Sequence, residues 1–207
     1  MDFVCIDFET SNSSRDSACS IGVATIEKGE ITSTYYTLIK PPVLRFDSIN
    51  VMIHGITKED VKDAPTFDTV WETLHPLLKN KIVIAHNASF DFSVLRSTLD
   101  TYRITYPELE YHCSVIIAKR TWPDLPNHKL NSVADHLGIR FHHHNAIEDA
   151  EVAAKLVIES CHVHGVKTVR ELNDKIGAKI GRLHPNGYTP ASINNSSNYR
   201  NSARRVR

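Results

Sequence analysis

Asp7 and Glu9 stand two residues apart in DFVCIDFE (2–9), a segment otherwise rich in strand-forming residues. Side chains two apart on a strand share a face, so a strand here presents two carboxylates on one side of an apolar ribbon. Such a face is costly to bury unless a cation meets it. A strand end that has simply reached solvent would also tolerate both acids, and this segment alone does not separate the two cases.

Two further blocks add acids of the same kind. HNASFD (86–91) carries Asp91, and HNAIED (144–149) carries His144 and Asp149. The segment 81–86 (KIVIAH) is a short apolar strand of the kind that is buried on both faces, and it feeds a helix over about 88–100. On that helix Asp91 precedes Val94 and Leu95 by three and four residues, so it points with them toward a sheet. An early-helix aspartate favoured by the helix dipole would look the same. Asp149 opens a helix starting near 147, beside the stripe Ala150, Ala153, Ala154, Val157 and Cys161.

His144 lies in the loop before that helix and ends a run of three histidines. In an extended segment His142 and His144 share a face and His143 points away. An imidazole near a carboxylate cluster can take a proton from water at neutral pH. Four inward acids and a loop histidine on separate elements match the needs of a two-cation phosphodiesterase. Oxygen-only ligands suit two divalent cations, Mg²⁺ or Mn²⁺, better than zinc.

The remaining pattern gives the layers. Segments 20–27 and 31–39 read as strands joined by a Lys28-Gly29-Glu30 turn, making an antiparallel meander with 2–9. Phe67, Val70, Trp71, Leu74 and Leu78 define an amphipathic helix over 67–78 with Thr66 at its cap position. Leu130, Val133, Ala134 and Leu137 define another over 129–137, stopped by Gly138. A meander followed by alternating helices and a strand describes an α/β domain with a mixed sheet.

Composition bounds the rest. With 207 residues, 41% hydrophobic and 23% charged, the chain fits one domain with an appendage. No apolar run of about 18 residues exists, so no membrane partner is expected. The segment MDFVCIDFET lacks a signal-peptide pattern. Cys5, Cys19, Cys113 and Cys161 are widely spaced and form no CxxC pair. They read as reduced thiols of a cytoplasmic protein. The zero net charge divides unevenly. After Asp174 there is no acidic residue and seven Lys and Arg, so residues 1–174 carry −7. The basic end can attract phosphate, or it is a solvated tail. Segment 182–207 is rich in Asn, Ser, Arg and Pro and reads as disordered or peripheral.

The motifs DFET, HNASFDFSVL and HNAIEDAEVAA resemble those of the DnaQ-like DEDDh 3′–5′ exonucleases, related to the proofreading epsilon subunit of bacterial DNA polymerase III. The resemblance spans about residues 2–163. It implies an RNase H-like fold, with a central mixed sheet of five strands flanked by helices. The exonuclease domain would occupy 1–165, and 166–207 a C-terminal basic extension, partly disordered.

It also implies roles. Asp7, Glu9 and Asp149 would hold one metal ion, Asp7 would bridge to a second, and Asp91 would act through water. The family's HxAxxD register selects His144 over its neighbours as general base. Thr10, His54, Asn87, Ser89 and Phe90 would contact the terminal nucleotide, though Phe90 fits the core as well. Ile56, in IHGIT (53–57), would stack on the last base, or that segment is a plain turn built on Gly55. The substrate implied is single-stranded DNA or DNA 3′ ends, with RNA as the alternative, and a polymerase or repair protein could join through the tail. Two readings from other classes compete: a nucleic-acid-binding module without catalysis, and a zinc- or nickel-binding protein built on the histidine run.

Overall fold

The structure is a computed structural model that describes residues 1–193. Its elements are β1 (Phe3–Thr10), β2 (Ala18–Glu27), β3 (Glu30–Leu38), α1 (Ser48–His54), α2 (Lys58–Val61), α3 (Phe67–Leu78), β4 (Ile82–Ala85) and α4 (Ala88–Thr101). Then come β5 (Leu109–Cys113), α5 (Ser114–Thr121), α6 (Leu130–His136), α7 (Ala146–His164) and α8 (Val169–Ile176). The described chain ends in β6 (Ala178–Lys179), β7 (Gly181–His184), β8 (Gly187–Thr189) and β9 (Ser192–Ile193).

The meander closes through Lys28 and Gly29, whose φ values of 55° and 86° are those of a two-residue hairpin loop that matches the twist of its strands. The central sheet runs β3-β2-β1-β4-β5-β7-β8. β4 lies parallel to β1 and β5, and the other pairings are antiparallel.

Alternation along β1 divides the core. Val4, Ile6 and Phe8 pack with α3 and α4, through Phe67, Leu74, Phe92 and Leu95. Phe3 and Cys5 pack on the opposite layer with residues of α5 to α8. Each fully buried Val, Leu, Ile or Phe contributes about 1.5–3 kcal/mol, so both layers hold β1 in register. Asp7 and Glu9 continue the phase of Phe3 and Cys5 on the α7 side.

Gly22 sets how closely α7 approaches. It pairs with Asp7 across the β1–β2 ladder. A Cβ there would stand 2.1 Å from the Ala146 carbonyl oxygen. The missing side chain lets the first turn of α7 lie on the sheet directly beside Asp7.

Two expectations change. The sheet has seven strands rather than five, because β7 and β8 extend it beyond β5. Residues 166–193 are also not a loose extension. They form α8 and β6 to β9, and bury Val169, Leu172, Ile176 and Leu183 in the two cores. Strands of two to four residues carry too few side chains to show a period. The expected disorder over 194–207 lies outside the described residues.

Candidate active site

The first turns of α4 and α7 converge on the end of β1. β4 stops pairing with β1 at Ile6–Ala85, so the Phe8 N–H lies beyond the reach of the ladder. It donates instead to Asp91 Oδ1 at 3.0 Å. Asp91, 1% exposed, thereby completes the sheet edge and brings an acid to the carboxyl end of β1. From the other layer, the Asn145 side chain caps α7 by accepting from the Ile147 and Glu148 N–H groups. That start places Asp149, 3% exposed, against β1. Oxygens of Asp7, Glu9 and Asp149 all lie within 4.8 Å of one another.

This crowding changes the acids. Burial first, then the charges of Asp91, Asp149 and Glu9, holds the Asp7 carboxyl well above the usual carboxylate range. Burial, then Asp149 and Asp91, pushes Glu9 up to about 8. Burial pushes Asp91 to about 7 despite the stabilising Phe8 N–H. Burial raises Asp149 also, against the lowering effect of the His143 contact. Four acids so placed cannot all be ionised near neutrality unless positive charge is supplied. The donor set fits a hard divalent cation, held by Asp7, Glu9 and Asp149. Asp91 stands outside that set of three.

The histidine run departs from extended alternation. His144 has φ 69°, a left-handed backbone that reverses the expected phase. His143 and His144 therefore stack on one another, ring centroids 3.9 Å apart, and both line the cleft. His143 Nδ1 lies 3.0 Å from Asp149 Oδ1, and the His144 N–H donates to Asp149 Oδ2 at 2.9 Å. His142 turns outward to Glu148 instead. Burial, and then neighbouring His143, lowers the His144 pKa, so its ring is neutral and can accept a proton near pH 7.

The acids floor a cleft of about 820 Å³. Thr10, His54, Asn87 and Phe90 are among the residues that line it. The Thr10 carbonyl accepts from Asn50 Nδ2 at 2.8 Å and faces His54 Nε2 at 3.1 Å. His54 Nδ1 accepts the Ile56 N–H, which fixes its ring. Phe90 is half-buried, with the Arg15 guanidinium 4.5 Å from its ring centre.

Ile56 and Ser89 are not in the lining. Gly55, at φ 76°, ends α1 and turns the chain, so Ile53 reaches the cleft in place of Ile56. Ser89 faces a second cavity on the other side of the same helical turn.

The far wall had no signal in the sequence. Lys119 of α5 and Pro126 to Lys129 line it, from a segment without periodicity. His86, quoted within a motif but given no role, ties that wall down. Its Nε2 faces the His128 carbonyl at 3.0 Å and so carries the proton, leaving Nδ1 to accept from the Ser114 hydroxyl at 2.8 Å. Burial lowers its pKa to about 4.

Comparison with known proteins now decides the family: the family described as "Exonuclease" matches residues 4–157. The chain belongs to the exonuclease family. A DNA polymerase III PolC-type of Caldanaerobacter subterraneus subsp. tengcongensis is 30% identical over 178 residues, 83% of this chain and 13% of that protein. The same protein type in Clostridium perfringens is 32% identical over 82% of this exonuclease chain and 12% of its own length. The chain thus spans about an eighth of the length of the curated relatives it matches.

Among solved structures, exonuclease X in complex with 5′ overhanging duplex DNA aligns with TM-score 0.69 and 24% identity over 84% of this chain and 99% of that one. The nuclease domain of 3′hExo, a DEDDh family member bound to rAMP, aligns with TM-score 0.69 and 17% identity over 78% and 92%. These likenesses establish the RNase H-like exonuclease fold.

Proposed function

We propose that this exonuclease removes nucleotides from the 3′ ends of DNA and releases nucleoside 5′-monophosphates. The observation that carries the reading is the close set of Asp7, Glu9 and Asp149 oxygens beside His144, together flooring one cleft. Asp7, Glu9 and Asp149 would hold one Mg²⁺ or Mn²⁺, and Asp7 and Asp91 would help hold a second. Bound there, divalent cations supply a water nucleophile at neutral pH and charge for the leaving oxygen.

The protein side chains do the rest. His144 takes the proton of the attacking water. Asn87, Phe90 and Ile53 orient the terminal nucleotide, and Lys119 and Lys129 face its phosphates. His54 and Asn50 fix the Thr10 carbonyl, and with it the end of β1. Asp91 holds the same strand through the Phe8 N–H.

DNA is the favoured substrate because the sequence relatives are DNA polymerases. A role in proofreading, repair or end-trimming beside a polymerase follows from the same likeness. The four unpaired cysteines support a reducing, cytoplasmic setting. Among the described residues no helix is long and apolar enough to cross a membrane.

The test uses DNA and RNA oligonucleotides labelled at either end, with Mg²⁺, Mn²⁺ or EDTA. Shortening from the 3′ end of DNA, only with metal, is expected. Preferential RNA shortening would replace the substrate, and metal binding without cleavage would leave a non-catalytic binding module.

A further inference from the structure

A second cavity of about 610 Å³ opens on the other side of the turn that carries Asp91. Ala88, Ser89, Arg96, Tyr111, Cys113 and Tyr188 line it. Asn87 and Phe90 line the active cleft, so the first turn of α4 is the partition between the two. An α-helix is about 10 Å across, so a chain leaving the cleft over Asn87 reaches this cavity within a few nucleotides.

The lining suits such a chain. Arg96 is half-buried, and among the described residues no carboxylate lies within ion-pair distance of it. By contrast Arg170 and Arg182 both meet Glu110, and Arg45 meets Asp47. The Arg96 guanidinium lies over the Tyr188 ring, 3.6 Å from its centre. Tyr188 remains 49% exposed, so much of its ring surface is free. A half-buried cation with no ion-pair partner among the described residues, stacked on an exposed ring, offers phosphate attraction and a surface for a base in one place.

We infer that this cavity is an outer nucleotide site, taking a base and phosphate of the substrate strand that lie beyond the scissile bond. The inference rests on the nuclease reading above. β7 and β8 then have a function as well as a place in the sheet, since the hairpin they form carries Tyr188. Stacking on a tyrosine tolerates every base, so the site adds affinity for length without sequence preference.

The test compares a small ester with oligonucleotides of increasing length. The p-nitrophenyl ester of thymidine 5′-monophosphate, with Mn²⁺, reports the catalytic centre alone. Oligothymidylates of two to twelve nucleotides report both sites. Arg96→Gln and Tyr188→Leu are expected to hydrolyse the ester as the wild type does. Their KM for the longest oligonucleotide should rise about tenfold, with kcat unchanged, and KM should no longer fall with length. Tyr188→Phe keeps the ring and should keep the wild-type KM. Unchanged KM at every length in Arg96→Gln and Tyr188→Leu, with ester hydrolysis intact, overturns the outer site alone. A wild-type protein inactive on both the ester and the oligonucleotides overturns the nuclease reading and this site together.

Discussion

Replacing Glu9 with Gln should stabilise the metal-free protein while abolishing its activity. Glu9 sits among Asp7, Asp91 and Asp149, and its carboxyl is raised from 4.5 to about 8. An acid whose pKa is raised on folding binds its proton more tightly in the native state, so stability falls as pH climbs from the unfolded value to the folded one. At about 1.4 kcal/mol per tenfold change in proton affinity, ionising native Glu9 costs about 5 kcal/mol. Water in the open cleft screens part of this, leaving about 3 kcal/mol near pH 8. Near pH 5 native Glu9 is protonated, and the cost falls below about 1 kcal/mol.

The glutamine keeps the shape and drops the charge. In EDTA at pH 8, Glu9→Gln should therefore melt about 10 °C above the wild type, followed by circular dichroism. At pH 5 the two should nearly coincide. Adding Mn²⁺ at pH 8 should raise the wild type far more than the variant, because the variant has lost a ligand. A variant no more stable than wild type in EDTA at pH 8, or equally stabilised at both pH values, would refute the reasoning.

Gly22→Ala should move α7 away from β1 by steric contact with Ala146. It should cost about 1–3 kcal/mol in urea unfolding and lower kcat on oligonucleotides by more than any effect on KM. His144→Asn should lower kcat about 10²- to 10⁴-fold with little change in melting temperature. If His143→Asn shows the larger loss, His143 and not His144 is the base. His86, with a pKa of about 4 when buried against an unfolded value of 6.5, withholds a proton that the unfolded chain binds between those values. Stability should fall by about 3 kcal/mol as pH drops from 7 to 4 on its account. His86→Gln should flatten that fall, measured as the difference in urea unfolding between the two pH values.

The sequence carried the parts of the fold that long patterns encode. The meander, α3, α4 and α7 each have enough side chains to show their period, and Asp7, Glu9, Asp91 and Asp149 follow from the faces those periods define. Residues held by tertiary geometry were not readable. His143 joins His144 in the cleft because one residue takes φ 69°, and local pattern carries no sign of that reversal. Ile53 takes the place expected of Ile56 because Gly55 turns the chain at the end of α1. The wall of Lys119 and Asn127 to Lys129 is brought in by the His86 clip across 42 residues. β7 and β8 are too short to announce themselves, yet they carry Tyr188.

The alternation along β1 links pairing accuracy to activity. A slip of one residue against β2 would turn Asp7 and Glu9 toward Phe67 and Phe92 and expose Val4 and Ile6 to the opposite layer. Two charges would enter a layer with no cation to meet them, so the slipped chain would be far less stable than the native one. A mispaired strand would also lack two metal ligands at once. Any folded population that survives proteolysis should therefore be uniformly competent, with no stable but inactive fraction to titrate.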